Sequence, residues 1–365
     1  MADVFEYLDW RGDLSIEQIP FNEVDGMLLA RLSYAPFEYI GNQIAGKPIS
    51  IEEAARNLLE IPDIKEKLLL RDDFRLLSAL SESERFHDMT LLFYENLTDL
   101  ETQTQFSAIT IRVKHNLYFV SFRGTDNSFV GWKEDFNMSF VFPVPAQKMA
   151  VQYLEKIARN TFGRFIVGGH SKGGNLAVYA AAFCDPSIQD RINTIYNYDG
   201  PGFSEDVLLT AGYKAICDKI TTFIPQSSIV GLLLEHEEKY TIVHSTQAIN
   251  MMQHNVYSWE VQRNHFVYLE TVTNSSKFID TTLKSWVASM SMEQREKFFD
   301  AIYTVLTETN VHSFRELGDN WFFSAISIIK SIKNLDEETR TAVIEMLRSL
   351  MQITRSGMLK AIKGK

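Results

Sequence analysis

The chain has 365 residues, 45% of them hydrophobic and 23% charged, a balance that excludes a wholly disordered or fibrous polymer and leaves room for a large core plus a smaller appendage. The formal net charge is -11, and the basic residues are scattered apart from Lys360, Lys363 and Lys365, which excludes an electrostatic footprint for nucleic acid. Cys184 and Cys217 are the only cysteines and lack partners at metal-ligand spacing, so neither a disulfide framework nor a metal site is expected.

Acidic residues stand where an export signal would carry a basic segment, and no apolar run approaches the roughly 18 residues of a membrane span. These features predict a cytoplasmic protein without an integral membrane segment. No internal repeat is evident, and nothing in the sequence sets an oligomeric state. From Ser50 to about Asp99 the pattern predicts a helical lead-in region, with Ser50-x-x-Glu53 and Ser81-x-x-Glu84 as capping boxes. Ile109, Ile111 and Val113 then alternate with polar neighbours, and the apolar run from Leu117 to Phe122 follows a His115-Asn116 turn, which predicts two paired strands.

Helical patterns at Gln147 to Arg159 and Leu176 to Phe183 bracket a short buried strand at Phe165 to Val167. Further strands are expected at Thr194 to Tyr198, Ile220 to Ile224 and Tyr240 to His244, with helix-length connections. This alternation predicts an α/β fold with a mostly parallel sheet flanked by helices. Beyond about Thr273 the strands stop. Ser291-x-x-Gln294, Ser313-x-x-Glu316 and a pattern from Asp336 to Ile353 predict helices, and Trp321, Phe322, Ile326 and Ile329 form an apolar face suited to packing. The expected division is a main domain over 1–275 and a C-terminal helical appendage over 276–365.

Gly169-His170-Ser171-Lys172-Gly173 matches Gly-x-Ser-x-Gly between a predicted strand and a predicted helix. A strand that turns sharply into a helix strains its central residue and demands small neighbours, and it lifts the serine oxygen above the sheet edge at the positive end of the helix. The competing readings are a glycine-rich turn with an idle serine and a phosphate-binding loop. The loop fails on residue order, because Lys172 precedes Gly173-Gly174. Ser171 is the candidate nucleophile of an α/β-hydrolase fold.

Phe122-Arg123-Gly124-Thr125, with Trp132 and Asp135 beyond it and the Ser171 motif downstream, resembles the class 3 (fungal-type triacylglycerol) lipases. The whole chain is similar to an uncharacterised bacterial branch of that group, whose members open with a segment like Tyr7 to Leu14. The resemblance implies that the NH of Thr125 holds an oxyanion, with the NH of Lys172 as the second donor.

A serine hydroxyl needs a base, which hydrolase folds place after the last strand. His87, His115 and His312 are poorly placed in the chain, and His170 adjoins Ser171 with its side chain expected to point away. Of His236, His244, His254 and His265, the favoured base is His254, because His254-x-x-Tyr257 looks like the His-x-x-Tyr of the lipases. The acid departs from that family. Ile224-Pro225-Gln226-Ser227-Ser228 carries no carboxylate, and Asp199, one strand earlier in Tyr198-Asp199-Gly200-Pro201-Gly202, is the substitute, with Glu235 and Glu237 in reserve.

The expected function is a cofactor-independent serine hydrolase acting on a small-molecule acyl ester, with Ser171, His254 and Asp199 catalytic. Phe136 to Val144 and Ile229 to Leu234 are runs that could line an acyl groove. The missing lipase-type aspartate motivates the alternative, a non-catalytic binding or scaffold protein on the same fold.

Overall fold

The structure is a computed structural model, and it describes residues 2–99, 101–102, 104–126, 134, 138, 142–248, 250–291, 293–295, 297–298, 300–301, 337, 340–341, 344–345 and 348. The chain divides into two compact units. The first comprises residues 1–98, 105–124 and 145–273, and the second comprises 99–104, 125–144 and 274–365.

The first unit is built on strands β1 (Ile49–Ser50), β2 (Thr90–Asp99), β3 (Thr104–Lys114), β4 (Leu117–Phe122), β5 (Arg164–His170), β6 (Ile192–Tyr198), β7 (Ile220–Pro225) and β8 (Tyr240–Val243). The short strands β9 (Val261–Gln262) and β10 (His265–Phe266) form a separate two-stranded ladder, and β11 (Tyr268–Leu269) closes the edge of the main sheet. Among the described residues nine strands thus lie in the order β1-β2-β3-β4-β5-β6-β7-β8-β11. Neighbours from β4 to β8 pair in parallel, while β3 meets β4 and β11 meets β8 antiparallel.

Strand periodicity sorts side chains onto two faces. Ile109, Ile111, Phe119, Ile166 and Tyr198 join one core with the helices α1 (Val4–Arg11), α2 (Glu23–Leu32), α3 (Ile51–Leu59) and α4 (Asp72–Glu82). On the other face Thr110 Oγ1 meets the Tyr153 hydroxyl of α5 (Pro145–Asn160) at 3.0 Å, and α6 (Lys172–Phe183) follows β5. The expected parallel sheet between helical layers is present, and this is the α/β-hydrolase fold with a helical N-terminal region. Gly26 lets α2 sit close on the sheet, since a Cβ there would fall on the Tyr198 hydroxyl.

Two local expectations change. Ser50 does cap α3, accepting from the Glu53 NH at 3.1 Å, but Ser81 lies in the last turn of α4 and donates to the Ser78 carbonyl at 2.7 Å. The apolar residues Leu76, Leu77 and Leu80 are buried and extend the helix through that position. The helical lead-in also ends early, because residues 90–99 form β2, where Leu91 and Thr90 pair with Ile49 and Ser50. Pairing partners distant in sequence override the local pattern there. Helices α1 and α2 open on the same capping signals. Asp3 with Glu6 and Asn22 with Asp25 each form a complete capping box.

In the second unit, helix α7 (Asn274–Ala288) leads to a turn at Ser291, whose backbone NH and hydroxyl exchange hydrogen bonds with Gln294 as the capping-box pattern anticipates. Trp286 and Phe298 pack edge to face with centroids 5.4 Å apart, and Met290 and Ala301 are buried. Within Asp336 to Ile353 the described residues 337, 340–341, 344–345 and 348 are helical, while the Ser313 helix, the Trp321 to Ile329 face, Trp132, Asp135 and residues 136, 137 and 139–141 of the Phe136 to Val144 run lie outside the described residues. No described helix is long and apolar enough to cross a membrane.

Candidate active site

Strand β5 runs straight into α6 with a single residue between them. That residue, Ser171, is held at φ 59° and ψ -135°, a conformation that L side chains rarely adopt. The turn is enforced by close backbone packing. A Cβ on Gly169 would fall on the Gly173 backbone, and a Cβ on Gly173 would fall on the Phe122 carbonyl, so both positions require glycine. The Ser171 NH donates to the Tyr198 carbonyl at 2.9 Å, and the Ser171 carbonyl accepts from the Gly174 NH at 2.8 Å. The hydroxyl-bearing residue is half-buried at the C-terminal edge of the parallel sheet.

Asp199 follows β6, again in the left-handed region at φ 52°. The Asn197 side chain accepts from the Gly200 NH at 2.9 Å and stabilises this bend. Asn175 on α6 holds the next stretch, donating to the Pro201 carbonyl at 3.1 Å and the Gly202 carbonyl at 2.9 Å. The Asp199 carboxyl is buried and faces three donors. Its Oδ1 accepts from the Ser228 hydroxyl and from the Gly231 NH at 3.1 Å, and its Oδ2 lies 2.6 Å from His254 Nδ1.

The turn after β7, which lacks the lipase-type carboxylate, therefore supplies Ser228 to hold a carboxylate that arrives from β6. An acceptor at Nδ1 places the ring proton there and leaves the lone pair of His254 on Nε2. The His254 side chain is 23% exposed and that of Asp199 1% exposed, so the imidazole reaches solvent while the acid is sealed.

His254 ends a 3-10 turn over Asn250–His254. Its ring lies against that of His170 at a tilt of 34°, with centroids 4.5 Å apart, and its carbonyl lies 2.9 Å from His170 Nε2. The His170 side chain is thus engaged with His254. Burial pushes the His170 imidazole well below its ordinary range, and the nearby His254 and Arg31 act in the same direction. Three residues beyond His254, the Tyr257 hydroxyl donates to Asp73 Oδ1 at 2.7 Å. Among the described residues neither Ser171 Oγ nor His254 Nε2 makes a hydrogen bond.

The remaining candidates sit elsewhere. His236 spans Glu238 Oε1 at 2.9 Å and the Gly231 carbonyl at 2.8 Å, His244 pairs with Glu260 at 2.6 Å, and His265 Nδ1 lies 2.8 Å from the Phe266 carbonyl. Glu235 and Glu237 are exposed. Lys172 begins α6, and its buried side chain reaches the Gln105 carbonyl at 2.9 Å and Gln105 Oε1 at 3.2 Å. Gly124 lies against the elbow, since a Cβ there would fall on the Tyr34 hydroxyl and the His170 carbonyl, and Thr125 begins a segment of the second unit. In the Ile229 to Leu234 run, Leu232 packs with Ile224, Ile242 and Val272, and Leu233 is exposed.

Groups of three or more side chains suited to a metal ion are absent among the described residues. Cys184 is a free, buried thiol pushed up to about 12 by burial, which removes it as a nucleophile.

Among solved structures the chain is similar to a Rhizomucor miehei lipase propeptide complex, at 14% identity and a TM-score of 0.40 over 70% of this chain and 74% of that one. It is also similar to MDLA of Penicillium cyclopium, at 12% identity and a TM-score of 0.39 over 68% of this chain and 86% of that one. No curated protein matches the chain. Residues 80–304, more than half of the sequence, match the family model described as Mbeg1-like, and the chain belongs to the Mbeg1-like family.

Proposed function

We propose that this protein is a serine hydrolase that cleaves a carboxylic ester through an acyl-enzyme on Ser171. The observation that carries the reading is the 2.6 Å contact between Asp199 Oδ2 and His254 Nδ1, beside an elbow whose serine is held in a strained conformation. In this mechanism Ser171 Oγ attacks the acyl carbonyl and His254 Nε2 takes its proton. The same nitrogen returns the proton to the leaving alcohol, and water then releases the acid by the reverse sequence. Asp199 holds the imidazole in the Nδ1–H tautomer throughout.

The NH groups of Thr125 and Lys172 hold the oxyanion in this reading. Lys172 suits that role as the first residue of α6, where the helix presents its positive end. The likeness of Phe122-Arg123-Gly124-Thr125 and His254-x-x-Tyr257 to class 3 lipase motifs supports a carboxylic ester as the substrate class, although a thioesterase or amidase would use the same residues. The hydrolase domain spans 1–275 and the appendage 276–365, and the two free cysteines suit a reducing cytoplasm. No cofactor takes part in this mechanism.

The second reading, a binding or scaffold protein on the same fold, draws on the lack of a hydrogen bond between Ser171 Oγ and His254 among the described residues. A fluorophosphonate probe separates the two. The enzyme reading expects covalent labelling of the full chain that disappears in Ser171→Ala, together with hydrolysis of a p-nitrophenyl ester. An unlabelled and inactive wild type favours the scaffold.

A further inference from the structure

The elbow motif carries a histidine that the mechanism above leaves unused, and its surroundings are built. His170 is buried, 5% exposed, and both ring nitrogens are engaged. A carbonyl oxygen can only accept, so the 2.9 Å contact to the His254 carbonyl requires a proton on Nε2. In the neutral ring Nδ1 then carries a lone pair, and the group facing it is the Tyr34 hydroxyl at 3.2 Å. That hydroxyl donates to the His170 carbonyl at 3.1 Å and accepts from the Gly124 NH at 3.1 Å. Tyr34 thereby joins the ends of β4 and β5.

The Tyr34 ring is fixed in turn. The Arg31 guanidinium lies 4.2 Å above it and is gripped by Asp73 through two hydrogen bonds, at 2.7 and 2.6 Å. Asp73 also accepts from the Tyr257 hydroxyl, so the segment His254 to Tyr257 is held at both ends by groups that converge on Arg31.

We propose that His170, kept in its Nε2–H tautomer by the His254 carbonyl, is a positioning residue that ties the His254 backbone to the nucleophile elbow and so fixes the His254 imidazole between Asp199 and Ser171. Asp199 alone constrains one ring atom, around which the imidazole can still swing. The His170 hydrogen bond to the carbonyl and the tilted ring packed against the imidazole remove that freedom. The proposal rests on the hydrolase reading for its kinetic consequence and on geometry alone for its tautomer.

The test uses the full chain and three variants. His170→Phe keeps a flat ring but deletes the donor, and is expected to lower kcat by roughly tenfold to a hundredfold with KM within a few-fold. His170→Gln restores an NH at similar reach and recovers most of that loss. Tyr34→Phe removes the neighbouring hydroxyl but keeps the His254 carbonyl that fixes the tautomer. Long-range nitrogen–proton NMR of histidine-labelled protein reads the tautomers directly. Wild type is expected to show His170 neutral with its proton on Nε2, and Tyr34→Phe the same tautomer. The His254 Nδ1 proton resonance is expected to be sharp in wild type and broadened in His170→Phe.

Far-UV circular dichroism verifies that each variant folds. A wild type that neither hydrolyses esters nor reacts with fluorophosphonate overturns the hydrolase reading but leaves the NMR arm decisive. Wild-type kcat in His170→Phe, a His170 proton on Nδ1, or an unaltered His254 resonance in His170→Phe each overturns the positioning role.

Discussion

Replacing Asp199 by asparagine is expected to lower kcat by roughly 10³- to 10⁴-fold while leaving the fold intact. The reason is the set of donors around the carboxyl. The Ser228 hydroxyl and the Gly231 NH both point at Oδ1, so an asparagine seats its carbonyl oxygen there and turns its amide NH2 toward His254 Nδ1. Two donors cannot face each other. The imidazole must move its proton to Nε2, where it can no longer accept from Ser171. The backbone tolerates the change, because asparagine enters the left-handed region that Asp199 occupies at φ 52° more readily than most residues. Steady-state kinetics on a p-nitrophenyl ester with unchanged circular dichroism measures the effect, and activity close to wild type would move the acid to another carboxylate.

The second large effect concerns stability. Arg85 and Asp25 are fully buried, with side-chain exposures of 0% and 0%, and the pair is bidentate at 2.7 and 2.6 Å. Arg85 also donates to the carbonyls of Leu14, Ser15, Ile19 and Pro20, gathering the segment between α1 and α2, while Asp25 accepts from the Tyr7 hydroxyl and the Asn22 NH. Arg85→Met leaves a carboxylate and several carbonyls without their donor, and is expected to cost about 3–5 kcal/mol.

A fall of roughly 10 °C in the melting midpoint is the corresponding observation. Arg56 provides the control. Its pair with Glu52 is exposed at 61% and 46%, and Arg56→Ala should change stability by no more than about 0.5 kcal/mol. A melting midpoint for Arg85→Met within a degree or so of wild type would show that solvent reaches the cluster and repairs it.

The sequence by itself determined the order of elements from β3 to β8, because alternation, strand-length apolar runs and glycine punctuation are local signals. It also singled out Ser171, since a strand-to-helix turn crowded with glycines has a narrow physical meaning. Asp199 and His254 were legible only as choices among carboxylates and histidines in the right chain order. The fold brings these two side chains together across 55 residues, and it does so through Ser228 and Gly231, which no motif marks.

Tertiary structure alone decided the rest. Tyr34 reaches His170 across 136 residues, Arg31 reaches Asp73 across 42, and Tyr257 reaches Asp73 across 184. Each of these residues looks ordinary in the sequence, because a helix-borne arginine or tyrosine declares its neighbours along the helix and nothing about the strand end that it will touch. Periodicity records which face a residue occupies; which distant side chain meets it there depends on how helices and sheet pack, and that information is spread over the whole core.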